Sequence, residues 1–204
     1  HLVSVKDRLN GLRNPHAHLH MEGIDLATVE ASPMLWDPIR YLDTCPSSDG
    51  ACAMVLTDEA GAEGRNVAWV HGTAMRSEPI LFPGRDQVNP QAGTDCAKAA
   101  FAMAGVTDPR NEIDVAELYV PFAWFEPMWL ENLGFAEVGT GWKLTEDGTT
   151  AFEGELPINP SGGFLCFGEA TTAMGVFQVC ELTWQLRGEA GKRQVPNAKL
   201  GLGQ

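Results

Sequence analysis

A glycine-rich turn and the start of a helix lie close together in the sequence, and both expose groups that could hold a negatively charged or thioester oxygen. The turn is the segment 159–163, Asn-Pro-Ser-Gly-Gly, because proline fixes its own φ and paired glycines can take positive φ values. The helix start follows Gly168, where the segment 169–172, Glu-Ala-Thr-Thr, supplies a carboxylate and hydroxyls. Unpaired N–H groups at a helix N-terminus attract negative charge, so these elements predict a site for an extended anionic ligand.

Three histidines could also do chemistry. His16, His18 and His20 alternate along one side of an extended segment, which suits zinc binding. No fourth ligand follows at a recognised spacing, so a polar loop or strand edge is the favoured interpretation and we predict no metal site.

The cysteines indicate free thiols. They are odd in number, include no Cys-x-x-Cys pair and have mostly apolar neighbours. This favours buried thiols in a reducing compartment over disulfides or a metal site. They are Cys45, Cys52, Cys96, Cys166 and Cys180.

The helix after the glycine turn is predicted to bury a single apolar stripe. Its apolar residues recur at spacings of three and four, while Glu181 points away from them. The apolar run 164–167 before it is predicted to be a strand. The stripe consists of Met174, Phe177, Cys180 and Trp184.

The rest of the chain predicts alternating strands and helices, which is typical of an α/β layered fold. The segment 61–64, Gly-Ala-Glu-Gly, is the best linker candidate. We predict a short helix over 25–31, strands over 49–57 (buried on both faces), 67–73 and 113–120, a loop over 79–93, helices over 95–104 and 123–133, and a polar hairpin-like excursion over 139–154.

Composition excludes several classes of function. The net charge of −13 opposes a nucleic-acid partner, since phosphates would be repelled and no basic patch is present. No apolar run approaches the roughly 20 residues needed to cross a bilayer, and no signal segment opens the chain. We therefore expect no membrane partner and a cytoplasmic protein. The first residue is not Met, so we expect a piece of a longer polypeptide.

Four segments carry motifs: 43–51 (Asp-Thr-Cys-Pro-Ser-Ser-Asp-Gly-Ala), 117–122 (Glu-Leu-Tyr-Val-Pro-Phe), 159–163 and 185–195 (Gln-Leu-Arg-Gly-Glu-Ala-Gly-Lys-Arg-Gln-Val). Together and in this order they resemble the thiolase superfamily, in the branch of sterol-carrier-protein-type thiolases. The resemblance spans nearly all of the chain. It implies the five-layered αβαβα thiolase fold. Residues 1–60 would be the loop region and last strand of the N-terminal half, and residues 61–204 the C-terminal half, incomplete at its end.

Two departures from the family pattern change the expected chemistry. Family thiolases read Gly-His-Pro after the turn, and that His activates a nucleophilic thiol, whereas here Glu169 replaces the imidazole. The branch carries His-Asp-x-Phe after Glu-Leu, whereas here Tyr119 replaces the second imidazole. A carboxylate beside a thiol raises the pKa of the thiol. The pattern therefore resembles more closely the thiolase-like steroid side-chain aldolases, which cleave a β-hydroxyacyl-CoA by a retro-aldol reaction.

The resemblance implies a set of site residues. Tyr119 would supply a phenol for acid/base or oxygen-orienting work, and Glu169 would be a base or the partner of one. An exposed strand-end phenol and a helix-start carboxylate are the structural alternatives. Backbone N–H groups near Gly162, Gly163 and Gly168 would form part of an oxyanion site.

Substrate contacts are predicted on both sides of this site. Cys45 matches the position at which the thiolase chain runs near the pantetheine arm of CoA. Ser161 lies in the glycine turn. Phe122 and Trp124 are the predicted acyl-chain contacts. The aromatic helix face of Trp124, Phe125, Met128 and Trp129 could line a steroid pocket, although core packing is the favoured interpretation.

The resemblance also implies partners. We expect a CoA thioester as substrate, no covalently bound cofactor, a homodimer, and a small DUF35-type OB-fold partner that carries zinc. Two alternatives to the aldolase remain open, which are an acyl-CoA acyltransferase of the sterol-carrier type and a non-catalytic lipid- or acyl-CoA-binding subunit.

Overall fold

The computed structural model of the chain describes residues 1–79 and 83–204. Short helices alternate with a few short strands, and 3-10 turns occur at Tyr41–Asp43 and Gly191–Arg193. In chain order the elements are α1 (Leu2–Gly11), α2 (Leu26–Ala31), β1 (Met34–Trp36), β2 (Ile39–Arg40), α3 (Glu59–Ala62), α4 (Gln91–Ala104), α5 (Pro109–Glu112), β3 (Val115–Glu117), α6 (Phe125–Asn132), α7 (Gly141–Glu146), α8 (Gly163–Cys166), α9 (Met174–Arg187) and β4 (Gly201–Gly203).

Strand β3 lies at the centre of the main core. It pairs in parallel with β4, with Val115 opposite Gly201. On its other side Ala116 forms a parallel bridge with Ile158, directly before the glycine turn. Val115, Ala116 and Leu118 are completely buried, as expected for a strand covered on both faces. This pairing places the end of β3 beside the glycine turn.

Helix α1 holds the glycine turn through a buried polar face. The Nζ atom of Lys6 donates to the carbonyl oxygen of Ile158 at 3.0 Å. The side-chain amide of Asn10 donates to Asn159 O at 3.0 Å, and that of Asn14, which follows the helix, donates to Ser161 O at 2.8 Å. Buried carbonyl groups need such donors. The sequence indicated only turn formers here, so the helix and its role were missed.

Several predicted elements are present in the structure. Helix α2 begins after Asp25, whose carboxylate caps it by accepting from Thr28 N at 2.7 Å. Strand β3 and helix α6 occur within the ranges predicted for them. Helix α4 ends at Gly105 with φ 75°, as predicted, but it begins at Gln91 and not at residue 95. Of the predicted loop 79–93, residues 80–82 lie outside the described residues.

Two predicted strands are wrong. Within the described ranges, the segments 49–57 and 67–73 form no regular secondary structure and pair with no strand. Val55 is 93% exposed and Leu56 is 73% exposed, so the burial predicted for both faces of 49–57 is also wrong. Apolar composition predicts a buried strand only where a partner strand covers it.

Two further segments fold as helices. The hairpin-like excursion 139–154 contains α7, because the carboxylate of Glu131 accepts from Gly141 N at 2.9 Å and so caps its first turn. The run 164–167, predicted as a strand, forms most of α8. A four-residue apolar run cannot distinguish a buried strand from a buried helix turn, and the positive φ values at Gly162 and Gly163 start the helix.

The predicted buried face of α9 is only partly correct: Met174 is buried, but Phe177 and Cys180 are half-buried. Trp184 is 37% exposed, while the carboxylate of Glu181, predicted to point outward, is buried. The reason is a charged partner beyond the helix, since Arg193 Nε lies 2.9 Å from both carboxylate oxygens of Glu181. Gln185 joins this network by donating to Glu181 and to Arg193 O. Apolar spacing alone could not reveal a buried ion pair formed with residue 193.

Candidate active site

The glycine turn is held at the end of β3 by Glu117. Its carboxylate accepts hydrogen bonds from Ser161 N at 3.0 Å and from Ser161 Oγ at 2.7 Å. The side chain of Asn159 accepts from Leu118 N at 2.7 Å. A Cβ on Gly162 would lie 2.8 Å from the Cα of Gly11, so the turn can approach α1 only with glycine there. The turn is therefore fixed from both sides before any ligand binds.

The three glycines of the predicted oxyanion site differ in what their N–H groups do. Gly162 N donates to Asn159 O at 2.9 Å, and Gly163 N donates to Ser161 Oγ at 3.1 Å. Both groups are thus engaged inside the turn. Gly168 N donates to no acceptor in the described part of the chain. Of the three, Gly168 is the one whose N–H group has no partner there, although the residue is buried.

Tyr119 follows β3 and points its phenol at Glu169. The OH group donates to Glu169 Oε1 at 2.9 Å. The ring packs edge-on against Phe164, with centroids 4.9 Å apart. Its carbonyl oxygen accepts from Trp129 Nε1 at 2.7 Å, so backbone and ring are both fixed. The phenol is thus hydrogen-bonded to a carboxylate and does not merely face water.

Glu169 is positioned by a close contact between two loops. At Gly168, φ is 120°, and a Cβ there would lie 2.5 Å from the hydroxyl oxygen of Ser48. Glu169 N donates to that hydroxyl at 3.1 Å, and Ser48 N donates back to Glu169 O at 3.3 Å. Helix α9 begins only at Met174, so Glu169 does not cap its first turn. Its carboxylate is therefore not used to cap the helix and accepts hydrogen bonds from other side chains.

Cys45 completes the cluster, although the sequence placed it only near the substrate. Its thiol donates to Glu169 Oε2, the oxygen that Tyr119 does not use. Its backbone N–H donates to Pro121 O at 2.8 Å. The contact joins residues 124 positions apart. Only the family order of the motifs could have suggested that these two segments meet, because neither has a distinctive ligand spacing.

The carboxylate keeps both of its donors protonated. Burial raises the pKa of the Cys45 thiol to about 12, and the hydrogen bond and charge of Glu169 act in the same direction. Burial likewise raises the pKa of Tyr119 to about 12, again with support from Glu169. A thiol in this state is a proton donor and not a nucleophilic thiolate. The cluster is therefore suited to acid/base chemistry.

Replacing Glu169 by glutamine should make the Cys45 thiol more reactive. The change removes the negative charge but leaves burial, so the pKa of Cys45 should fall from about 12 toward its ordinary value of 9.0. Alkylation by iodoacetamide, followed by peptide mass spectrometry between about pH 7 and 10, should then be roughly tenfold faster or more at Cys45. The Cys52 thiol bonds to Ala173 O and serves as the internal control. An unchanged Cys45 rate contradicts the assigned contact.

Aromatic side chains surround one side of the cluster. Phe125 and Trp129 pack against the main core, as the core interpretation predicts. Phe122 is half-buried and stacks on Phe125, with centroids 6.1 Å apart. Trp124 stacks on Phe125 at 4.0 Å but is 44% exposed. Phe122 and Trp124 therefore lie just before α6 and outside the main core. Both contact Phe125, which in turn contacts Tyr119.

The three histidines have separate partners. His18 Nδ1 lies 2.7 Å from Ser48 Oγ, His20 Nε2 lies 2.8 Å from Asn14 O, and His16 stacks near Trp184. Within residues 1–79 and 83–204, no group of three His, Cys, Asp or Glu side chains is arranged to hold a metal ion. All five cysteines are free; Cys166 is buried and the others are half-buried.

Glu117 should make stability depend on pH. Burial raises its pKa from 4.5 to about 8, assisted by the negative charge of Glu181 and opposed by the Ser161 hydrogen bonds. The folded state therefore retains a proton that the unfolded chain loses. This contribution to stability is complete below pH 4.5 and is lost as the pH rises through 8.

Replacing Glu117 by glutamine mimics the protonated side chain, so the variant should lose less stability than the parent between about pH 5 and 9. The difference between their Tm values should change by roughly 3 °C or more over this range. Glu153→Gln is the control, since its side chain is 86% exposed. Parallel Tm curves for Glu117→Gln and the parent contradict a protonated Glu117. Asp7, whose pKa is also raised by burial, is present in all three proteins.

Comparison with known proteins identifies the family. A profile described as thiolase C-terminal domain-like matches residues 79–204. An acetyl-CoA acetyltransferase of Methanothermobacter thermautotrophicus is 39% identical over 204 residues, which cover 98% of this chain and 52% of that protein. Sterol carrier protein 2 of Homo sapiens is 36% identical over 209 residues, covering 98% of this chain and 38% of that protein. The solved structure of an Ltp2-ChsH2(DUF35) aldolase superposes with a TM-score of 0.81 at 23% identity, covering 97% of this chain and 52% of that one.

The chain belongs to the thiolase superfamily. The predicted α/β thiolase-like fold is confirmed by the family profile and by the superposition. The chain spans about half of the acetyltransferase and less of sterol carrier protein 2. No helix within the described residues has both the length and the apolar character needed to span a bilayer.

Proposed function

We propose that the protein is a carbon–carbon lyase that cleaves a β-hydroxyacyl-CoA with a bulky, sterol-like chain by a retro-aldol reaction, releasing a ketone and propionyl-CoA. The observation that carries the proposal is the hydrogen bond from Tyr119 OH to Glu169 Oε1 at 2.9 Å. The phenol and carboxylate form an acid/base pair in place of the imidazoles expected from the family pattern. Retro-aldol cleavage requires such a base and needs no covalent intermediate.

Tyr119 and Glu169 act together on the β-hydroxyl group. The phenol oxygen takes the hydroxyl proton while the phenol proton passes to the carboxylate. The bond between the α and β carbons then breaks, the β carbon becomes a ketone, and the electron pair forms the enolate of the thioester. This coupled transfer avoids a free phenolate, which the raised pKa of Tyr119 makes unfavourable.

Gly168 N–H is the proposed donor to the enolate oxygen. It is adjacent to Glu169 and has no acceptor in the described part of the protein. A preorganised donor at this position stabilises the negative charge that develops on the thioester oxygen. Gly162 and Gly163 then serve to shape the turn, since their own N–H groups bond within it.

The proposed substrate contacts come from residues beside the cluster, and the proposed partners come from analogy with a relative. Phe122 and Trp124 provide apolar surface for the acyl chain, and the CoA thioester is the only group proposed to be bound. The structural relative is named as an aldolase in complex with a DUF35 protein. By analogy we propose a DUF35-type OB-fold partner and a homodimer, working in the cytoplasm.

Two substrates separate the proposed reaction from its alternatives. The protein is produced from its whole reading frame with any co-encoded small partner. It is then offered a β-hydroxyacyl-CoA with a steroid ring and, separately, a β-ketoacyl-CoA with free CoA. Ketone and propionyl-CoA from the first substrate, independent of added CoA, support the aldolase. CoA-dependent cleavage of only the second indicates an acyltransferase, and no reaction with either favours a binding role.

A further inference from the structure

We propose that Cys45 is the acid that protonates the α carbon of the enolate, so that Tyr119, Glu169 and Cys45 form a closed proton relay. The inference rests on the proposed retro-aldol reaction and assigns its final step. That reaction moves one proton from the β-hydroxyl oxygen to the α carbon. A site that both removes and returns this proton needs no proton from solvent.

The geometry places both ends of the relay on one carboxyl group. Tyr119 OH donates to Oε1 of Glu169, and the Cys45 thiol donates to Oε2. The backbone ties these ends together, since Cys45 N donates to Pro121 O at 2.8 Å and Thr44 forms an antiparallel bridge with Phe122. Cys45 and Tyr119 therefore approach Glu169 from two paired segments and keep a fixed relation to it.

Cys45 differs from the other thiols in its hydrogen-bond acceptor. Among the described residues it is the one cysteine whose thiol donates to a carboxylate. The others donate to main-chain carbonyl oxygens, namely those of Ala173, Ala74, Leu19 and Ala53. Cys45 is also only half-buried. A thiol that is hydrogen-bonded to a carboxyl group can give its proton to a substrate and then take a proton from that carboxyl group.

The proton balance closes in three steps. The β-hydroxyl proton moves to Tyr119 as the phenol proton moves to Glu169, and the carbon–carbon bond breaks. The Cys45 S–H bond then breaks, and its proton bonds to the α carbon of the enolate. After a half-turn of its carboxyl group, Glu169 gives its proton to the thiolate, which restores the starting state. The raised pKa of Cys45 keeps the thiol protonated until the enolate forms.

Hydrogen exchange at the α carbon of propionyl-CoA tests this role separately from cleavage. Exchange in D₂O is the reverse of enolate protonation and needs no steroid. The parent protein should exchange the α hydrogens, and Cys45→Ala should lose exchange by about 100-fold or more. Carbon–carbon cleavage, measured as ketone release, should fall much less, because water can protonate the enolate. Cys45→Ser should regain part of the exchange, since a hydroxyl can occupy the same place in the relay.

Cys52→Ala is the matched control, because its thiol is half-buried and bonds to a main-chain carbonyl. It should leave both rates unchanged. Exchange that persists in Cys45→Ala, or that falls there only in proportion to cleavage, overturns the inference, as does a parent protein without exchange. Near-UV circular dichroism shows whether Cys45→Ala is misfolded. If it is, the loss of exchange relative to the loss of cleavage in Cys45→Ser tests the inference instead. The parent protein could also show exchange that depends on Cys45 but no cleavage. That result refutes the proposed reaction, while Cys45 remains an acid/base group acting at the α carbon.

Discussion

Replacing Tyr119 by phenylalanine is expected to reduce cleavage of the steroid β-hydroxyacyl-CoA by roughly 100-fold or more while the protein remains folded. The change removes one oxygen atom, the proposed acceptor of the β-hydroxyl proton, whose OH group donates to Glu169 at 2.9 Å. General acid–base groups contribute about 10²–10⁴ to rates, so the loss should fall mainly on kcat. The ring contact with Phe164 survives, so the Tm should change by only a few degrees.

The sequence contains one other tyrosine, which makes a matched control. Tyr41 lies in a 3-10 turn and is 58% exposed. Tyr41→Phe should leave kcat and KM unchanged. A Tyr119→Phe protein that cleaves at the parental rate removes the phenol from the mechanism. A rise in KM with kcat unchanged assigns Tyr119 to binding of the substrate in its ground state.

The site could be predicted in part because its reactive groups are in recognisable motifs. Tyr119 and Glu169 were indicated by departures from the family pattern, and the structure brings them into contact. The position of Cys45 against Glu169 could not be predicted. It depends on loops that meet across 124 positions, and no periodicity or spacing records such a contact. The N–H groups of Gly162 and Gly163 were similarly beyond prediction, since internal acceptors engage them.

The accuracy of the predicted elements also depends on whether local sequence or distant contacts determine them. Helix ends with local signals were predictable, such as the Asp25 cap of α2 and the Gly105 end of α4. Elements that depend on distant partners were not. The buried face of α9 is set by Arg193, and the exposed segments 49–57 and 67–73 lack a described strand partner. Apolar spacing predicts burial, but only tertiary contacts decide where burial occurs.

Helix α1 is the strongest example, because charged side chains form its buried face. Lys6 Nζ lies 2.7 Å from Asp7 Oδ1 and 2.9 Å from Glu126 Oε2, and it also donates to Ile158 O. Burial lowers the pKa of Lys6, but the two carboxylates outweigh it and the net pKa is raised. Burial raises the pKa of Asp7 to about 7 even though Lys6 opposes this. One ammonium group therefore balances two buried carboxyl groups directly behind the active-site turn.

Replacing Lys6 by methionine should consequently lower the free energy of unfolding by roughly 3–5 kcal/mol, because it leaves buried carboxylates without their counter-charge. The loss should be larger near pH 8 than near pH 5, since burial raises the pKa of Asp7 to about 7 and protonation at lower pH removes its unpaired charge. Urea denaturation at both pH values measures it. The exposed Lys98→Met control should change the free energy by less than about 0.5 kcal/mol. A loss for Lys6→Met that is small, or equal at the two pH values, would mean that Asp7 is already neutral and that packing alone holds α1 against the turn.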